Sequence, residues 1–296
     1  NRSHPGRFCA AIGLALISTM STSSLPRTRS TAPRAWAVLA RSVGEASVLQ
    51  TASSLTLVLL LLYSDDFWYL QIPLTALLAV AIVFPRFRTT ETLWFVVCAL
   101  LGATTIFNWY DIDNHKFLYL YWCLALYVTT CLATRQDRLR VLAASSRLLI
   151  GLVFLLATIW KFLAGDYLDG SFFHFTLLAD DRLEAVSRYF GGLSAEALAG
   201  NDRALAGASS ALVPTGKWLL ESNSAVVAIE TFMTWWNLIV EGAIALAFLV
   251  PPTRFFRHGK DALLLAFLVT TYLVAPVTGF GSVLAILGFA QASGPR

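Results

Sequence analysis

Long apolar runs follow one another along most of this sequence, separated by short polar breaks. A helix needs about 20 apolar residues to cross a membrane. We therefore predict spans at residues 47–63, 67–84, 91–108, 117–133, 147–164, 225–250 and 261–290. The last run is longer than one span needs, which predicts a kink or a break into two helices around Ala275-Pro276. The expected fold is an all-α polytopic transmembrane bundle with seven or eight spans.

The composition agrees with this fold class. Hydrophobic residues make up 57% of the chain and charged residues 14%, whereas soluble domains average about 45–50% and about 25%. A water-soluble domain and a disordered chain are both excluded. The 22 basic and 18 acidic residues form no basic stripe, so nucleic-acid binding is not expected. The lipid bilayer is the expected surrounding.

Basic residues concentrate in alternate breaks between the predicted spans. These breaks contain Arg27, Arg29, Arg34, Arg41, Arg86, Arg88, Arg135, Arg138, Arg140, Arg147, Arg254, Arg257 and Lys260. The short breaks between them contain Asp65-Asp66 and Asp111-Ile112-Asp113, with Lys116 as their only base. Basic residues near span ends stay on the cytoplasmic side. The amino terminus is therefore predicted to be cytoplasmic, and seven spans would place the carboxyl terminus outside.

The amino-terminal region differs from the rest of the chain. Residues 1–34 are expected to be a targeting or disordered extension, and residues 35–296 the transmembrane domain. Phe8–Ile17 resembles the short apolar core of a signal peptide, and the following Ser21–Arg34 is rich in Ser, Thr, Pro and Arg. Trp36–Leu49 is predicted to form an amphipathic helix at the membrane surface.

The connection between the fifth and sixth predicted spans is unusually long. Residues 165–224 face the outer or lumenal side in this topology, and they far exceed the length that a simple connection needs. Ser171–Phe190 contains His174 among phenylalanines and is apolar enough to pack on the membrane or on the bundle. We interpret the segment as a lid or a small lumenal subdomain.

Lys161 is the most unusual charge in the predicted spans. It follows Leu148–Trp160, a run without charge, and a lysine there is costly unless it is paired or reaches the headgroups. One interpretation is that the ammonium snorkels to the headgroup region, since the span ends about three residues later. The other is a desolvated lysine that acts as a general base.

Two further sites contain candidate functional residues. His115 lies in a polar break beside Asp113, where a carboxylate can orient an imidazole and raise its pKa; the alternative is a solvated turn. Glu241 lies within the sixth span, where a carboxylate is either functional or a helix–helix hydrogen-bond partner. Glu230 lies near the end of that span and is interpreted as interfacial. Neither His174 nor His258 is singled out.

The cysteines and glycines predict no further chemistry. Cys98, Cys123 and Cys131 lie inside apolar runs, and no His/Cys cluster has metal-ligand spacing. No metal site and no disulfide framework are expected. Gly279-Phe280-Gly281 lacks the third glycine and the preceding strand of a dinucleotide-binding fingerprint.

Four segments occur in a distinctive order. Asn114–Tyr119 reads Asn-His-Lys-Phe-Leu-Tyr, Ala157–Phe162 reads Ala-Thr-Ile-Trp-Lys-Phe, Asp166–Gly170 reads Asp-Tyr-Leu-Asp-Gly, and Leu246–Arg254 runs from an apolar span end into Pro-Thr-Arg. Together they resemble the HTTM (horizontally transferred transmembrane) family, and in particular the membrane domain of the vitamin K-dependent gamma-carboxylase. The resemblance covers about two thirds of the chain, and its order agrees with the topology predicted from loop charge.

This resemblance implies a lumenal lysine that serves as base for vitamin K hydroquinone. Lys161 falls on the second lysine of the family's pair, and His115, preceded by Asn114, falls on the histidine of its Asn-His motif. Trp160 replaces the first lysine, and Val269–Tyr272 lacks the family's histidine. These differences argue against carboxylation of a docked protein substrate.

The function expected from these observations is a polar site for a lipid-soluble quinol-like ligand. Lys161 would act as base with help from His115, while Asn114, Asp166, Asp169 and Glu241 would shape the site. The implied cofactor is a quinone or hydroquinone, with carboxylase-like or quinol-dependent lyase or oxidoreductase chemistry. One alternative is a non-catalytic subunit or assembly factor that binds membrane-protein partners through aromatic faces. A small-molecule transporter is the second alternative.

Overall fold

The computed structural model describes residues 45–63, 68–110, 112–132, 134–210, 220–250, 254–275 and 277–293. Within those ranges the ordered elements are α-helices and two short 3-10 turns, without strands. This confirms the all-α class. The predicted extension over residues 1–34, most of the predicted surface helix, the acidic break at residues 65–66 and Pro276 lie outside the described residues.

Helices occupy all seven predicted span segments. In chain order the α-helices are α1 (Glu45–Tyr63), α2 (Trp68–Val83), α3 (Glu91–Phe107), α4 (Asn114–Cys131), α5 (Arg135–Leu163), α6 (Gly165–Leu168), α7 (Ser171–Ala179), α8 (Glu184–Tyr189), α9 (Ala195–Ser210), α10 (Ser224–Leu249), α11 (Arg254–Val274) and α12 (Thr278–Ala292). The 3-10 turns are Pro85–Thr89 and Asp181–Leu183. The last predicted run therefore consists of two helices, α11 and α12.

Two helices in the described part of the chain are long and apolar enough to cross a membrane. They are α5, over Asp137–Leu163, and α10, over Ser224–Leu249. Their length and composition indicate membrane association. Shorter apolar helices include α1, α2, α3 and α12. Crossing by these helices, and the side on which each connection lies, stay predictions.

The chain divides into two compact units. The first unit contains the described residues up to Val153, together with Ala247–Leu264 and the residues from Thr278 onward. The second unit contains Phe154–Leu246 and Leu265–Val277. The long helices α5 and α10 each contribute residues to both units.

Large aromatic side chains fill the core of the first unit. Trp94, Trp122 and Tyr119 are fully buried, and the Trp122 indole donates a 2.8 Å hydrogen bond from α4 to the Thr56 hydroxyl on α1. The helix α12 packs against α1 and α4. A Cβ at Gly279 would collide with the Tyr119 hydroxyl, so this approach requires a residue without a side chain.

Arginines from the basic breaks bind the carbonyl ends of helices in the first unit. A helix leaves its last carbonyl groups without intrahelical partners, and a guanidinium near a helix carboxyl end also interacts well with the helix dipole. The pairs are Arg88 with Ala81 (2.7 Å), Arg138 with Leu132 (2.7 Å) and Thr130 (3.1 Å), and Arg147 with Phe248 and Val250 (both 2.7 Å). These arginines thus close the ends of α2, α4 and α10.

Polar side chains join the start of α11 to the end of α12. The Lys260 ammonium contacts the Gln291 side-chain oxygen, and the Gln291 amide donates a 2.8 Å hydrogen bond to Asp261. Residues 260 and 261 begin the apolar part of α11, whereas residue 291 ends α12. The two helices therefore run in opposite directions.

The long connection forms the helices α6 to α9 in the second unit. Its apolar core consists of Leu177, Leu178, Leu183, Leu193 and Leu198, packed around Val226 of α10. A second cluster packs Tyr167 and Phe173 against Leu238. The predicted lumenal subdomain is thus a set of short helices that pack against the first half of α10. This packing places Tyr167 of α6 and His174 of α7 beside α10.

Candidate functional site

Lys161 and Glu241 form an ion pair inside the second unit. Lys161 lies in the last turn of α5, and its Nζ is 2.5 Å from the Glu241 Oε2 on α10. Only 16% of the lysine side chain and 8% of the glutamate side chain are exposed. This geometry favours a paired lysine over a snorkelling one.

Tyr167 covers the ammonium of this pair. The centroid of its ring, on α6, is 5.1 Å from the Lys161 Nζ, within cation–π distance. Burial raises the pKa of the Tyr167 hydroxyl, the nearby charge of Glu241 raises it further, and the Asn237 side chain lowers it. The hydroxyl therefore stays protonated at neutral pH and faces the ion pair as a neutral group.

His174 and Glu230 form a second pair in the same unit. The His174 Nδ1, on α7, contacts the Glu230 Oε2 on α10, and the exposed fractions of the two side chains are 33% and 12%. Gly170, just before α7, has a φ of +86°, and a Cβ there would lie 3.3 Å from the Glu230 Oε1. Glycine thus serves both the left-handed turn and the close approach of the carboxylate.

The two carboxylates lie on one face of α10. Glu230, Thr234, Asn237 and Glu241 follow the spacing i, i+4, i+7 and i+11, which a period of 3.6 residues places on one side of a helix. We call these four residues the polar face of α10. Thr234 is 1% exposed, and its hydroxyl has no hydrogen-bond partner among the residues that the structure describes. The face is about 16 Å long at 1.5 Å per residue.

Asp166 and Asp169 form the turn that follows the covering Tyr167. Both are exposed. The Asp169 carboxylate accepts hydrogen bonds from the Ser171 backbone (2.9 Å) and hydroxyl (2.6 Å), and these bonds hold its pKa below the usual range. The Asp166 carbonyl accepts a bond from the same hydroxyl at 3.0 Å. These contacts order the turn between α6 and α7, beside the covering Tyr167.

His115 and Asn114 belong to the first unit, whereas the ion pairs belong to the second. Asn114 begins α4 and is exposed. The His115 ring packs edge-to-face on Tyr119, with centroids 5.5 Å apart. Partial burial lowers the pKa of His115, and the smaller effect of Asp113 raises it. Asp113 thus acts on this pKa in the expected direction, and desolvation has the larger and opposite effect.

Sequence reasoning missed four contributors to this site. Tyr167, His174 and Thr234 were not candidates, and Glu230 was interpreted as interfacial. The available signal was the spacing of polar residues along an apolar helix, which places Glu230 and Glu241 on a single face. The partners on α6 and α7 had no comparable signal, since their contacts arise only from packing.

No group of three or more His, Cys, Asp or Glu side chains within the described ranges could hold a metal ion. The residues of the ion-pair site offer charge, hydrogen bonds and an aromatic surface instead. This set can bind a polar group of an apolar ligand and exchange a proton with it.

The sequence matches no known family profile, no curated protein and no solved structure.

Proposed function

We propose that this chain is a multi-pass membrane protein of HTTM type whose Lys161–Glu241 pair binds a lipid-soluble hydroquinone-like ligand and accepts a proton from it. The buried ion pair between two apolar helices is the observation that supports this proposal. Ionisable residues inside membrane helices are costly and are functional candidates by default. The resemblance around Asn114–Tyr119 and Ala157–Gly170 supports the ligand class.

The pairing assigns different roles to the two residues. An ammonium and a carboxylate 2.5 Å apart form an ion pair, and an ammonium has no free electron pair to accept a proton. We therefore propose Glu241 as the proton acceptor and Lys161 as the cation that stabilises the ligand oxyanion. One proton moves from the ligand hydroxyl to the carboxylate, and the ligand oxygen keeps the electron pair of the broken O–H bond.

The proposed topology has eight spans. The basic breaks lie on the cytoplasmic side under the loop-charge rule, and α6 to α9 lie on the outer or lumenal side. Because α11 and α12 run in opposite directions, the end of α12 returns to the cytoplasmic side. The seven-span alternative, with an outer carboxyl terminus, is not part of this proposal.

The test uses the full chain in lipid nanodiscs with vitamin K hydroquinone as probe. Absorbance of the deprotonated probe reports ionisation at the site. The wild type should bind the probe and ionise it, Glu241→Gln should bind it without ionising it, and Lys161→Met should weaken both steps. Glu196→Gln removes an exposed carboxylate on α9, outside the site, and is the control that should ionise the probe as the wild type does. Equal ionisation in Lys161→Met, Glu241→Gln and wild type would contradict the proposal.

A non-catalytic membrane subunit is the second candidate function. The side of α10 opposite the polar face exposes Phe232, Trp235 and Trp236, and the rings of Phe232 and Trp236 stack with centroids 5.9 Å apart. Such residues are enriched at protein interfaces as well as at membrane interfaces. Isolation from native membranes in a stoichiometric complex that Trp235→Ala disrupts would favour this function. Isolation as a single chain would argue against it.

A further inference from the structure

The His174–Glu230 and Lys161–Glu241 pairs occupy the two ends of the polar face of α10. We propose that this face conducts protons between the aqueous surface at His174 and the Lys161–Glu241 pair. The inference rests on the proposed function in taking Glu241 as a group that gains and loses protons and in placing α7 on the outer side. It adds the route by which that proton is exchanged.

Side-chain exposure is greatest at the His174 end of the polar face, where a route for protons from water would begin. His174 is one-third exposed and Glu230 is 12% exposed, so the first pair can exchange protons with water. Thr234 is 1% exposed, and the Glu241 side chain is 8% exposed. Lys161, at 16% exposed, and Glu241 are both less exposed than His174, and the polar face connects their pair with His174.

The spacing along α10 suits bridging water molecules. Side chains three or four residues apart on a helix have Cβ atoms about 5–6 Å apart, too far for most direct hydrogen bonds but within reach of one bridging water. Thr234 lies between the two carboxylates, and its buried hydroxyl has no protein partner within the described ranges. A buried hydroxyl in this state costs about 1–3 kcal/mol, and an ordered water removes that cost.

The groups along this face match the roles of a proton pathway. The His174 imidazole accepts a proton from the outer solution, and the Glu230 carboxylate stabilises the resulting imidazolium. A hydroxyl donates one hydrogen bond while accepting another, so Thr234 passes the proton through neighbouring waters that the Asn237 amide orients. Glu241 becomes a neutral carboxylic acid beside the Lys161 ammonium. One proton enters, one negative charge is neutralised, and no electron moves.

The charged and titratable groups known to face each carboxylate are few. Glu230 is faced by His174 from α7, and Glu241 by Lys161 from α5 and Tyr167 from α6. Because the two pairs are about 16 Å apart along the helix, removing the outer pair changes the charge state of Glu241 little. Removal of this pair takes away the group at which protons enter. The rate at which Glu241 exchanges its proton should therefore change more than the equilibrium between its protonated and ionised forms.

The experiment follows Glu241 by time-resolved infrared spectroscopy after a pH jump, with the full chain in nanodiscs and no ligand. The band of the protonated carboxyl group is assigned by its loss in Glu241→Gln. Thr234→Val keeps the side-chain shape and removes the relaying hydroxyl, so protonation should slow by about tenfold or more, equivalent to about 1.4 kcal/mol in barrier. His174→Gln should also slow it. Neither variant should shift the midpoint of the titration.

The matched control is Thr231→Val, because Thr231 lies on α10 away from the polar face and donates to the Val227 carbonyl. This variant should protonate at the wild-type rate. Equal rates in Thr234→Val and Thr231→Val overturn the proposal. A wild type without a Glu241 band, over the whole pH range in which it stays folded, also overturns it. Because no ligand is present, failure of hydroquinone binding leaves this result unaffected, and equal rates in Thr234→Val and Thr231→Val leave the proposed function standing.

Discussion

Lys161 and Glu241 lie eighty residues apart in the sequence, and each neutralises the other's charge across 2.5 Å in the structure. Removal of one member of a buried pair leaves an uncompensated charge and costs about 3–5 kcal/mol, whereas apolar replacement of both is often neutral or stabilising. We expect Lys161→Met to lower the free energy of unfolding by about that amount, and Lys161→Met combined with Glu241→Leu to recover most of it. Denaturant unfolding in detergent micelles measures both.

The control for this pair is an exposed one. Arg188 and Glu184 are four residues apart on α8 and their side chains are 44% and 50% exposed, so Arg188→Ala should change stability by less than about 1 kcal/mol. If the Lys161 single variant and the double variant lose equal stability, the two charges are not coupled.

Gly279→Ala should destabilise the first unit, although alanine usually stabilises a helix. The added Cβ would collide with the Tyr119 hydroxyl, and overpacking of this kind costs about 1–3 kcal/mol. Tyr119→Phe removes the obstructing oxygen and should restore part of the loss in the double variant. Gly102→Ala on α3, where no atom lies within 4 Å of the new Cβ, is the control, with an expected gain of about 0.5–1 kcal/mol. The melting temperature of each variant reports the result, and equal effects at the two glycines would refute the collision.

Arg147→Lys should weaken the fold while keeping the charge. The guanidinium donates two hydrogen bonds of 2.7 Å, to the carbonyls of Phe248 and Val250, and a lysine ammonium cannot reproduce this planar fork. We expect a loss of about 2–4 kcal/mol, given about 1.5–3 kcal/mol for a charged hydrogen bond. Arg140→Lys, at a surface position in the same helix, should lie within about 1 kcal/mol of the wild type. Chemical denaturation compares the two variants, and a neutral Arg147→Lys would show that charge alone is sufficient.

The end of α12 should face the same side of the membrane as the basic breaks. A short protease-cleavable tag placed after Ser293 should therefore be cut in sealed vesicles from the side that also cuts a tag placed in the Arg86–Arg88 break. A tag at Gly192, between α8 and α9, should be cut from the opposite side. Cleavage of the Ser293 tag together with the Gly192 tag would support seven spans with an outer end.

The sequence predicted the helical segments well because hydropathy is a local property. The predicted end of the fifth span at residue 164 agrees with α5, which ends at Leu163. The helix begins twelve residues before the predicted span, because residues 135–147 contain four arginines, which ended the apolar pattern, together with the helix formers Leu and Ala. The break after Ala275 lies in an apolar run of nearly uniform hydropathy. Its position was therefore predicted from Pro276, a residue type that interrupts helices, and not from hydropathy.

The site was predictable only in part. Lys161 and Glu241 stood out because charges are rare in apolar runs, but their pairing depends on how α5 packs against α10 and has no sequence signal. His174 was not singled out, because its neighbours in the sequence are phenylalanines and none of them indicates a charged partner. Asp166 and Asp169 were expected to shape the site, and the hydrogen bonds that the structure gives them are with Ser171.

The arginines that bind helix ends have a consequence for experiments that redirect membrane insertion. In the proposed topology, Arg88, Arg138 and Arg147 would provide the charge that orients the chain during insertion, and the same guanidinium groups bind the carbonyls at the ends of three helices. Exchange of these arginines for acidic residues would change orientation and folding together. Lysine in their place preserves the orienting charge but cannot provide the fork of donors. Lysine variants therefore distinguish the effect of the positive charge on insertion from the effect of the hydrogen bonds on folding.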